Sequence, residues 1–196
     1  MTPLPLSRLA IALWGVLGVE LILGDALWRL LPRALAPFFA NTGAEIEAAG
    51  MEGAGLEASH LAVYAVSIVG LGFFEGYRGF QQAFAPRVAA RAMWLAHHPR
   101  PLFVALAPLF VMALFHATRR RVIASWMLIV GIVALIVAVH QLPPLYRSAV
   151  DSGVVVGLTW GAVSVLASFV RALLGAPTVD PELPARDRNH RDLTAS

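Results

Sequence analysis

Glu75 and Arg78 stand three residues apart in FFEGYRGFQQAFAPR, Phe73 to Arg87, among aromatics and glycines at the end of an apolar run. At that spacing a carboxylate and a guanidinium share one face of an α-helix, so they either pair with each other or serve a site together. Helical spacing sorts the stretch into three stripes: Phe73, Tyr77, Phe80 and Phe84; Gly72, Gly76 and Gly79; and Glu75, Arg78 and Gln82. These read as lipid-facing aromatics, a packing seam and a polar ridge. The plainest role for the ridge is an ion pair at a membrane interface, beside the aromatic belt that forms at headgroup level.

Glu20 resists so local an explanation. It lies about 11 residues, roughly 16 Å, into an apolar run, close to the midplane of a bilayer. No basic residue stands three or four positions from it, whereas Asp25 has Arg29 four residues on. An ionised carboxylate at that depth costs a few kcal/mol, so Glu20 must meet a partner, a wet cavity or a proton. Arg78 is the partner within reach. His98 ends a basic segment, His140 ends another apolar run and Asp151 leads into the next. Together with Glu20, Glu75, Arg78 and Gln82 they form a candidate polar cavity on one half of the membrane. Each has a blander alternative: a histidine at a helix end is commonly a solvated boundary residue, and Asp151, followed by Ser152 and Gly153, suits an N-cap.

The elements that would position these groups are membrane helices. Of 196 residues, 58% are hydrophobic and 14% charged, and the mean hydropathy is +0.70, values that belong to a chain living in lipid. Five apolar runs, at about 9–31, 61–84, 102–118, 122–142 and 154–174, are long enough to cross a bilayer as helices. The first carries Glu20, Asp25 and Arg29 and is too long for a secretory signal, although Ala34 to Ala36 resembles a cleavage site. Over about 86–98, Pro86 begins a segment that sets Arg87, Arg91, Trp94 and His98 at spacings of three and four, which predicts an interfacial amphipathic helix. Pro108 should kink the third run. Residues 175–196 lack apolar periodicity and read as a disordered polar tail. The expected fold is therefore all-α: a polytopic transmembrane bundle of about five spans plus one interfacial helix, over residues 1–174.

Gly153, Gly157 and Gly161 lie four apart on the last run, a face suited to close helix contacts within the chain, in a homo-oligomer or in a larger membrane complex. All basic residues are Arg and Cys is absent, which excludes disulfides and thiolate chemistry. The arginines flank apolar runs, so the basic balance points to the lipid bilayer as partner and not to nucleic acid. No metal-binding, phosphate-binding or nucleophile motif is present, and the isolated His60 and His116 are a weak basis for haem, so no cofactor is expected. Three functions remain: binding or relaying a small polar solute, ion or proton through the cavity; a non-catalytic accessory or assembly subunit; and an enzyme acting on a lipid, with Glu75 or His98 as acid or base. Arg-only, Ala-rich usage suggests a bacterial inner membrane. With five spans, six arginines fall on the N-terminal side and nine on the other, leaning to a cytoplasmic C-terminus.

Overall fold

The computed structural model describes residues 5–39 and 58–184. Among these no β-strand occurs, and the fold is an all-α helical bundle. α1 spans Leu6–Phe39. α2, Ala58–Leu71, runs on through a π-helical segment, Gly72–Phe84, into α3, Ala85–His97. Two five-residue helices follow, α4 at Pro101–Ala105 and α5 at Ala107–Val111, then α6 at Arg119–Val139 and α7 at Pro144–Leu173. Four of the described helices are long and apolar enough to cross a membrane: α1, the continuous Ala58–His97 helix, α6 and α7.

The run at 102–118 does not form the continuous helix that its length suggested. Pro108 has no N–H for the carbonyl four residues back, and its ring disfavours helical geometry in the residue before it. The chain turns at Leu106 (φ −101°, ψ 28°), and left-handed backbone at Ala113 (φ 59°) and His116 (φ 51°) ends helical structure before Thr118. The expected kink is thus a break.

That break explains a second difference. α3, expected as an amphipathic interfacial helix, is packed on several faces: nine of its residues are buried, Arg91 and Trp94 among them. Its alanines allow close approach on several faces, and the broken 101–118 segment supplies carbonyls that no helical N–H satisfies. Arg91 collects them. Its guanidinium donates to Phe110 O at 2.7 Å, His116 O at 3.0 Å and Phe115 O at 3.3 Å. A fourth bond goes to Pro181 O at 2.8 Å, and the guanidinium carbon lies 4.2 Å from the centroid of the Phe110 ring. Within the stretch read from sequence as a disordered tail, 177–180 are exposed but Pro181 and Leu183 are buried; residues 185–196 lie outside the described residues.

By its contacts the chain divides into two compact units, one of Met1–Leu21, Ala83–Ile132 and Val165–Ser196, the other of Ile22–Gln82 and Val133–Ser164. In the first, Gly15 of α1 faces Val111 and Ala107 and Gly18 faces Pro108, so that α1 lies against α5 at bare Cα atoms. Phe103, Phe110 and Trp94 stack beside them, with centroids 5.2 and 5.7 Å apart.

In the second unit α7 packs against α2 and the π-helical segment through the glycine face. A Cβ on Gly153 would lie 2.5 Å from Ser67 O, on Gly157 3.1 Å from Glu75 Oε2, and on Gly161 2.6 Å from the Phe80 ring. Gly72 and Gly76 answer from the other side, against Val156 and Trp160. The π winding closes i to i+5 hydrogen bonds, so residues four and five apart, not three and four, stack over one another. Gly72, Gly76, Phe80 and Gln81 consequently share the α7 face, and Gln81 Oε1 accepts the Trp160 indole N–H at 2.7 Å. Gly79, expected in that seam, instead meets the carbonyl of Phe74 in its own helix.

Candidate functional site

The same winding separates Glu75 from Arg78. A spacing of three places them on one face of an α-helix but on different faces here, and no ion pair joins them among the described residues. Glu75 is half-buried, its carboxylate lying over Gly157; Arg78 and Gln82 are exposed. Glu20 is half-buried on α1 in the first unit, and its Oε1 is buried without a hydrogen-bond partner. His98, also in the first unit, caps α3: its ring stacks on Trp94 at 4.8 Å and its Nδ1 lies 3.2 Å from Trp94 O.

His140 and Asp151 belong to the second unit, with a different set of neighbours from the ones the sequence suggested. Asp151 is only 6% exposed. It does not act as an N-cap, because α7 already starts at Pro144. Its nearest cation is Arg33 of α1, 4.0 Å from Oδ2, a distance beyond hydrogen bonding, and Oδ2 has no hydrogen-bond partner. Beside it Tyr64 of α2 is 3% exposed, its hydroxyl lying against Ser148 without a well-formed hydrogen bond. Phe38 holds the Tyr64 ring edge-on at 5.1 Å. Ser148 and Ser152 complete the buried group, the Ser152 hydroxyl lying 3.1 Å from Ala34 O and 2.9 Å from Ser148 O. At the exposed end, Arg147 Nη2 meets His140 Nε2 at 2.8 Å.

Buried polar atoms are almost always satisfied by protein or by ordered water, and a polar contact longer than about 3.5 Å commonly holds a water between its members. Asp151 Oδ2, with a guanidinium just out of range, is therefore a group whose hydrogen bonding a bound water would complete. Arg33, Tyr64, Ser148 and Ser152 were not singled out from sequence. The signal was present for two of them: Ser148, Asp151 and Ser152 repeat at three and four on an otherwise apolar helix, a polar stripe with helical period. Glu75 lies opposite Gly157, six residues further along α7 and roughly 9 Å from the Asp151 level, so it belongs to another layer.

The second unit also contains an open groove of about 420 Å³ lined by Ile68, Val69, Gly72, Phe73, Tyr77, Val156 and Trp160. Its walls are apolar and suit a hydrocarbon chain rather than a polar solute. Among the described residues, no group of three or more metal-ligating side chains occurs. No protein-family model, curated protein or solved structure matches this chain.

Proposed function

We propose that this is a multi-pass membrane protein of a bacterial inner membrane, with a cytoplasmic C-terminus, that binds or relays a proton or small polar solute. The site is the Arg33–Tyr64–Asp151 cluster of its helical bundle. One observation carries this: Asp151 is buried and its Oδ2 has no hydrogen-bond partner, with the Tyr64 hydroxyl beside it. Ionisable groups inside a membrane bundle are expensive and mark proton and solute paths by default. His140 and Arg147 lead from the cluster towards the exposed end of α7. The assembly-subunit reading loses its motive, because Gly153, Gly157 and Gly161 are occupied inside the chain.

The test is proton flux into liposomes carrying the purified protein and an entrapped pH-sensitive dye, with unfolding midpoints measured alongside. D151N should cut the flux by about tenfold or more, the scale expected when a positioned proton-transfer group is removed. Y64F should impair it too, and both variants should keep their unfolding midpoint. Flux no greater than that of protein-free liposomes, together with a D151N midpoint that falls, would make the carboxylate a structural group and end the proposal.

A further inference from the structure

The first unit carries more positive charge than it neutralises. Arg119, Arg120 and Arg121 occupy the first turn of α6, where the helix dipole is already positive and cations are disfavoured. Arg121 and Arg87 of α3 converge on one carboxylate, Glu182, at 3.7 and 3.9 Å. Both separations exceed hydrogen-bonding distance. The Nε atoms of Arg87 and Arg121 are buried and have no hydrogen-bond partner. Their neighbour Arg91 is fully committed to backbone carbonyls and lends no acceptor.

Glu182 is held in place by its backbone. Its carbonyl accepts Thr118 N–H at 2.9 Å, and its own N–H donates to Asp180 Oδ1 at 2.8 Å. Its φ of 52° is left-handed, a region that non-glycine residues adopt at a steric cost. A strained residue thus presents a carboxylate at a distance that satisfies neither guanidinium. A tetrahedral group with three or more oxygens between the two forks would satisfy both Nε atoms as a carboxylate held by the chain does not.

We propose that Arg87 and Arg121 form a binding site for a phosphate group, carried by an anionic lipid headgroup or free in solution. The Glu182 carboxylate is its internal stand-in, and the incoming phosphate displaces it. Guanidinium pairs are well matched to phosphate because each offers parallel N–H donors in a fixed plane.

The experiment measures the unfolding midpoint of the purified full chain in detergent, titrated with phosphatidylglycerol, with phosphatidylcholine or with inorganic phosphate. A ligand bound only by the folded state raises the midpoint. Phosphatidylglycerol should raise it and phosphatidylcholine should not. R121Q should weaken phosphatidylglycerol binding about tenfold or more, the loss of a charged hydrogen-bonded contact, and E182Q should strengthen it. R121K keeps the charge without the fork and should fall between, which separates lost binding from lost folding. A response to inorganic phosphate at least as large as that to phosphatidylglycerol would support the site with free phosphate as its source. Equal responses to the two lipids with none to phosphate, or an E182Q variant that binds no better, would overturn the proposal.

Discussion

Arg91 shows how a residue that looks like surface becomes structure. In the sequence it is one member of a basic stripe at helical spacing, and such stripes lie at interfaces. In the fold it is 1% exposed and donates to carbonyls at Phe110, Phe115, His116 and Pro181. R91M keeps much of the volume but takes the side-chain donor from the Phe115, His116 and Pro181 carbonyls, while Phe110 O keeps the Ala113 N–H, and should destabilise the protein by about 3 kcal/mol or more, since each buried acceptor left unsatisfied costs about 1–3 kcal/mol. R119M, at an exposed position, should change stability by no more than about 0.5 kcal/mol. Unfolding midpoints of the two variants in detergent check the contrast, and equal midpoints would show that the carbonyl cluster contributes nothing. Nothing at Arg91 itself warned of this role. The signal lay in Pro108 and in the left-handed residues that free the carbonyls, and left-handed backbone at Ala113 and His116 has no residue-type signature.

At the scale of elements, the glycine seam was readable and the π-helical segment was not. Spacing of four on α7 pointed to Gly153, Gly157 and Gly161 as a close-contact face, since four-residue spacing is the natural repeat of one α-helical side. The partner face was assigned with the same period, which placed Gly79 in the seam and paired Glu75 with Arg78. A π-helix cannot be told from an α-helix by composition, so every assignment that depended on winding shifted while those on α7 stayed. The seam predicts opposite outcomes for two Gly→Ala changes. A Cβ at Gly153 would meet the backbone oxygen of Ser67 at 2.5 Å, an atom that cannot rotate away, so G153A must part the helices and should cost about 1–3 kcal/mol. Gly131 on α6 has nothing within 4 Å of a new Cβ, so G131A should gain up to about 1 kcal/mol from helix propensity alone. Matched unfolding curves decide it: a G153A variant as stable as the parent would mean that α7 does not approach α2 as closely as the structure shows.

For the molecule as a whole, the break at 102–118 changes the topology argument more than any side chain does. Length and hydropathy measure whether a run is able to cross a membrane, not whether it stays helical while doing so, and this run passes the first criterion and fails the second. If the four described helices that are long and apolar enough to cross a membrane, α1, the Ala58–His97 helix, α6 and α7, all do so, both termini share one side. Arg8, Arg87, Arg91, Arg100, Arg119, Arg120, Arg121, Arg171, Arg186, Arg188 and Arg191 then fall on that side and Arg29, Arg33 and Arg147 on the other, with Arg78 inside the Ala58–His97 helix. The five-span count set six against nine; the four-span count is more lopsided and predicts cytoplasmic termini, since arginine accumulates on that side. The chain has no cysteine, so single cysteines are clean reporters. In intact cells, a membrane-impermeant maleimide should label Q141C, in the α6–α7 connection, and should reach S7C and S196C only after the membrane is opened. Labelling of S7C and S196C from opposite sides would restore 102–118 as a crossing segment. It would also reduce the charge asymmetry, because five crossings return the division of six arginines against nine.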